Sequence, residues 1–155
     1  MNTVLYFTAS GTAYETRAYT KADIDRLVQE QGLYCLTSED SQFDFWFSPT
    51  AAACQRRINR PATELLLATT RLNAKSVPLL RGAVVIASHD SDGDLDGLSW
   101  QQMDHLAQRS LSLSRRDDRI LGRRIAADER ARRSRRTAAA PAPVSCARPR
   151  ASAPR

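Results

Sequence analysis

The chain has 155 residues, 42% hydrophobic and 26% charged, with a formal net charge of +6. That is enough for one ordinary domain with a remainder, and no apolar run approaches the ~20 residues needed to cross a bilayer. Residues 1–108 hold 9 Lys+Arg against 13 Asp+Glu, a net of −4, whereas residues 109–155 hold 14 Arg against 4 acids, a net of +10. The split predicts a mildly acidic α+β domain over 1–108, a basic helical arm over 109–136 and a disordered Ala/Pro/Arg tail over 137–155.

In chain order, TVLYFTA and AYETRAY flank the turn signal Ser10-Gly11 and read as a hairpin. The opening MNTVLYFTASG lacks the basic stretch of a signal sequence, so a cytoplasmic location is the expectation. Thr20 and Asp23 stand at capping-box spacing, Ile24, Leu27 and Val28 share one helical face, and Gly32 is placed to end that helix. A second hairpin follows, LYCLTS and QFDFWFS across SEDS. In its second strand Phe43, Phe45 and Phe47 alternate with Asp44 and Trp46, the period of a half-buried strand. Trp46 reads as a cover for the sheet rather than a binding residue.

Ser48-Pro49 is a helix start, and Pro61 divides the next helical stretch near Asn59. Asn59 fits a cap for the second piece, about 61–72, better than a recognition group. The run Ala83–Ala87 is continuous and apolar, as a central strand requires, with Gly82 marking a bulge or a close approach. Four or five strands in an antiparallel or mixed sheet with about three packed helices are therefore expected before the arm.

The sharpest chemical pattern is Asp92, Asp94, Asp96 and Gly97, which supplies positions 1, 3, 5 and 6 of a calcium loop. Position 12 is Met103 instead of Glu, so the ligand that secures affinity is missing. The rival reading uses more residues: Ser99 and Gln102 form a capping box, Leu98 and Met103 its hydrophobic staple, and the acids sit near a positive helix end. A capped polar turn is preferred, with a calcium-responsive domain as an alternative.

His89 and His105 are the only histidines, and no third ligand is suggested for a transition metal. Cys35, Cys54 and Cys146 form no CxxC pair and no zinc spacing. GxSxG, HExxH, P-loop and GxGxxG patterns are absent, and nothing in the sequence recommends the dispersed acids Glu15, Asp44 and Glu64 as a catalytic set. The expectation is a protein without catalysis or cofactor.

The segments LVQEQG, LYCL, NRPATELL and LLRGAVVIASHDSDG, in this order over residues 3–104, resemble a family of short uncharacterised proteins of phages, plasmids and bacterial genomes, a domain of unknown function. The resemblance implies an α+β fold and a mobile-element setting, with no activity and no functional residues to carry over. Glu30-Gln31 before Gly32 departs from its pattern, and the basic arm lies outside it.

In the arm, Ile120, Leu121 and Ile125 give only a thin apolar stripe, suited to weak docking or to folding on a partner. Arg130, Arg132, Arg133, Arg135 and Arg136 cluster, with Arg115, Arg116, Arg119, Arg123 and Arg124 before them. Such a series neutralises phosphates in DNA or RNA. Without an aromatic residue for stacking, the contact is expected to be non-specific, and the thin apolar face does not suit a membrane surface. The Arg content itself, 21 Arg to 2 Lys beside 23 Ala, fits a GC-rich gene equally well. A protein partner or inhibited enzyme gripped by the acidic domain is the alternative, and the oligomeric state is left open.

Overall fold

The computed structural model describes residues 2–29, 32–49 and 57–139. The chain runs β1 (Asn2–Phe7), β2 (Ala13–Ala18), α1 (Lys21–Val28), β3 (Tyr34–Thr37), β4 (Asp44–Phe47), α2 (Arg60–Thr69), β5 (Val84–His89), β6 (Leu95–Asp96), α3 (Trp100–Ser110) and α4 (Arg115–Ala139). The class is α+β as expected. Among the described residues the sheet has six strands, all antiparallel, in the order β2-β1-β5-β4-β3, with the two-residue β6 added beside β5. This is one strand beyond the expected range.

β5 lies in the middle of the sheet, which explains its continuous apolar sequence: both of its faces are covered. Val84 and Ile86 join Phe7, Phe43, Phe45 and Phe47 beneath α2, α3 and α4, while Val85 and Ala87 join Val4 and Ala18 beneath α1, which contributes Ile24 and Val28. Every second residue of β4 thus enters the larger core, and Asp44 and Trp46 face the α1 side.

α1 opens with Asp23 accepting from the backbone N–H groups of Tyr19 and Thr20, both at 3.0 Å. These bonds favour the ionised carboxylate and hold its pKa below the usual range. The helix closes earlier than expected. Its cap is Gln29 in the left-handed region, not Gly32, because the Gln29 N–H already turns back to the Asp25 carbonyl at 2.9 Å. Of the helix expected from Ser48-Pro49 to near Asn59, residues 50–56 lie outside the described ones, as do Cys54, Cys146 and the tail from 140 onward; its expected end is not helical, since Ile58 forms an antiparallel bridge with Arg81.

Asn59 caps α2 and also ties three segments together. Its Oδ1 accepts from Ala62 N at 3.4 Å, and its Nδ2 donates to the carbonyls of Thr8 at 3.0 Å and Gly82 at 2.8 Å. Gly82 is the close approach marked in the sequence, with φ of 68° and its carbonyl aimed at that amide.

The packed unit extends past residue 108. Leu121 is fully buried in the larger core, with Leu113, Ile120 and Ile125 packed against it. The stripe is as thin as its sequence suggests, yet it completes a core that α2 and α3 leave open. Residues 137–139 belong to α4 and not to a tail.

Candidate nucleic-acid interface

α4 begins where Ser114 meets Asp117: the Ser114 hydroxyl oxygen accepts from Asp117 N at 3.0 Å and donates to its carboxylate at 2.7 Å. Asp117 and Asp118 sit in the first turn, where the helix dipole favours negative charge. Docking then uses arginines of the domain and acids of the arm. Arg60 Nη2 donates to Asp118 at 2.5 Å while its Nε donates to Glu64 at 2.6 Å, and Arg81 grips both oxygens of Asp128, one of them at 2.8 Å. Arg81 holds the Asp128 carboxyl below its ordinary pKa. The Arg60–Asp118 pair is half-exposed and adds little, whereas Arg81–Asp128 is mostly shielded from water.

The acids on the docked side leave the opposite face to arginine. Arg116, Arg119, Arg123 and Arg130 follow one another at spacings of 3, 4 and 7 residues, all exposed, and so line one face of the helix. At ~1.5 Å per residue this ridge is roughly 21 Å long, about six phosphates of one strand at ~3.4 Å each. Arg115, Arg133, Arg135 and Arg136 are also exposed. Two of the arginines read from the sequence turn inward instead. Arg124 donates to the Ala74 carbonyl at 2.8 Å, and Arg132 is half-buried, one turn after the docked Asp128. Their places on the helix follow Leu121 and Asp128 rather than the outward ridge.

The aspartates between β5 and β6 form a tight hairpin turn. Asp90 Oδ1 accepts from the N–H groups of Asp92 at 3.0 Å and Asp94 at 2.9 Å, and Gly93, with φ of 82°, makes the bend. Asp96 lies in β6 opposite Ser88, with its carboxylate on Gly97 N at 2.7 Å. Gly97 serves a close approach: a Cβ there would stand 2.8 Å from Thr3 N, and the next residue, Leu98, donates to the Thr3 carbonyl at 2.7 Å. Ser99 and Gln102 form the expected capping box. Leu98 and Met103 both meet the larger core, as a staple would. Among the described residues no three His, Cys, Asp or Glu side chains are gathered to hold a metal ion.

The histidines lie apart. His105 packs on Phe43 at 5.9 Å between ring centres and accepts from Arg109 Nε at 3.1 Å. His89 Nδ1 meets Asp44 Oδ2 at 2.7 Å, and Asp44 Oδ1 accepts from the Thr37 hydroxyl at 2.7 Å. Sequence reasoning misses this pair; its one signal is an acid inside the apolar alternation of residues 43–47. Both oxygens of the buried Asp44 are thereby satisfied. Trp46 covers the α1 side of the sheet, with Lys21 Nζ 5.8 Å from its ring centre.

No helix among the described residues is long and apolar enough to cross a membrane. Compared with known proteins, the chain matches no family model, no curated protein and no solved structure.

Proposed function

We propose that this is a non-enzymatic accessory or regulatory protein, in the mobile-element setting its resemblance implies, that contacts the phosphate backbone of DNA or RNA through α4. The observation carrying this reading is the segregation of charge on α4. Its acids face the domain or cap the helix start, and Arg116, Arg119, Arg123 and Arg130 are presented together to solvent. The docked helix makes the ridge a preformed element rather than one ordered by its ligand, which lowers the entropic cost of binding. The ridge has no aromatic or amide side chain for base edges, so it supports contact without sequence preference.

The test is binding of the full chain to duplex DNA and to RNA over a salt series, beside Arg116→Gln/Arg119→Gln/Arg123→Gln/Arg130→Gln. Wild-type affinity falls steeply with salt, and the variant binds weakly with a log–log slope shallower by about 3 to 4 if each arginine neutralises one phosphate. Equal binding by both proteins removes the ridge from the interface. No binding by either transfers the function to the acidic domain and a protein partner.

A further inference from the structure

β2 ends the sheet and, among the described residues, pairs only with β1. The phase of that ladder decides which backbone groups face outward. Thr8 N donates to the Thr12 carbonyl at 2.9 Å, so these two form a hydrogen-bonded pair. In an antiparallel ladder bonded and non-bonded pairs alternate, which makes Tyr6–Tyr14 and Val4–Thr16 the next bonded pairs. The N–H and C=O groups of Ala13, Glu15 and Arg17 therefore point away from the sheet. The side chains of Glu15 and Arg17 are exposed, with no hydrogen-bond or ion-pair partner among the described residues.

We infer that β2 is a self-pairing edge: two copies of the chain join antiparallel through β2, with Glu15 of each opposite Arg17 of the other. Only residues 13, 15 and 17 offer outward backbone groups, so a two-fold pairing centred on the charged residues has three registers. Glu15 opposite Glu15 and Arg17 opposite Arg17 both oppose like charges across the strands, which is destabilising. The intermediate register makes two opposite-charge pairs and is the one that the charges select. It also sets Thr16 against its own copy and places the 55% exposed Tyr14 across from the small Ala18.

The helix-bearing face beside this seam adds apolar surface. A groove of about 520 Å³ lies between β2 and the α2–α3 layer, lined by Leu5, Phe7, Met103, Leu106, Leu111 and Glu15. Leu111 is 87% exposed. Pairing through β2 brings two such apolar strips alongside one another and shields surface that one copy leaves in water. Edge charges commonly act to keep strands apart. Here their alternation instead admits one register of the chain with itself. The inference stands independently of the nucleic-acid reading, since β2 carries none of the α4 arginines.

The test is the mass of the full chain in solution, by light scattering and sedimentation, for wild type, Glu15→Arg, Arg17→Glu and the double reversal Glu15→Arg/Arg17→Glu. Circular dichroism confirms that each variant is folded. The expected result is a wild-type dimer, dissociation constants raised on the order of tenfold or more in each single variant, and recovery to within a few-fold of wild type in the double. A wild-type monomer at concentrations up to ~100 μM overturns the proposal. So does a dimer indifferent to the single reversals, or a folded double variant that stays as weak as the singles.

Discussion

Cys35 shows how one side chain on the α1 side of the sheet is set by its neighbours. Burial disfavours its thiolate, and the nearby negative charge of Asp44 disfavours it further, so the thiol is pushed from an ordinary value near 9.0 up to about 12. In the unfolded chain the proton leaves near pH 9, while in the folded chain it is kept until about pH 12. The protonated thiol's contribution to stability is therefore complete below pH 9 and is lost as pH rises through 12, where the unfolded state binds fewer protons. With Cys54 and Cys146 replaced by Ser, iodoacetamide labelling at pH 8 should be at least ~100-fold slower in native buffer than in urea, since at fixed pH a thiol holds about tenfold less thiolate for each step of one by which its pKa rises. Equal rates would show a thiolate that this geometry does not allow. Asn59 makes the same point with hydrogen bonds. Its capping role is local and readable from the pattern Asn-Arg-Pro, but its bonds to Thr8 and Gly82 join segments 51 and 23 residues away. Spacing along the chain carries no trace of those.

At the scale of elements, the strands of the two hairpins, the central β5 and both capping boxes are legible in the sequence, because each is specified by residues within a few positions of one another. Phe43, Phe45 and Phe47 declare their common face by alternation alone. The end of α1 at Gln29 is hidden, since a left-handed non-glycine cap has no strong composition signal. β6 is hidden because two residues are too few for any period. Of the candidate site, the run of arginines is plain in the sequence, but its division into an outward ridge and the inward Arg124 and Arg132 depends on where Leu121 finds the core. Gly122 and Gly97 separate the two reasons a glycine can have. A Cβ on Gly122 meets nothing nearer than Arg60 Nη1 at 3.8 Å, an ordinary contact, so its glycine only loosens α4. Gly122→Ala should raise stability by about 0.5–1 kcal/mol in urea unfolding. Gly97→Ala should lower it, since the added Cβ would press on the backbone of Asn2 and Thr3 at 2.9 and 2.8 Å. A stabilising Gly97→Ala, or a destabilising Gly122→Ala, would contradict this packing.

For the whole molecule, charge and packing divide the chain at different places. Net charge changes sign after residue 108, yet the larger core takes Leu113, Ile120, Leu121 and Ile125 from beyond that point. The arm is thus anchored by apolar burial and by Asp128 on Arg81, and it displays its arginines because those anchors consume the other side of the helix. The two properties separate experimentally. Ending the chain at Gln108 removes a fully buried leucine and its three neighbours, a loss of several kcal/mol on the scale of ~2–5 for each large core truncation. A melting temperature lower by ~10 °C or more, with dye binding to newly exposed apolar surface, is the expected result. Changing Arg116, Arg119, Arg123 and Arg130 to Gln removes four exposed charges that make no contact with the core, and should leave the melting temperature within a few degrees of wild type. If the 1–108 fragment melted like the full chain, α4 would be an appendage, and its arginines would be a flexible series rather than a fixed ridge. If the fragment unfolds while the quadruple variant does not, the same helix closes the core with one face and leaves the other free to meet phosphate.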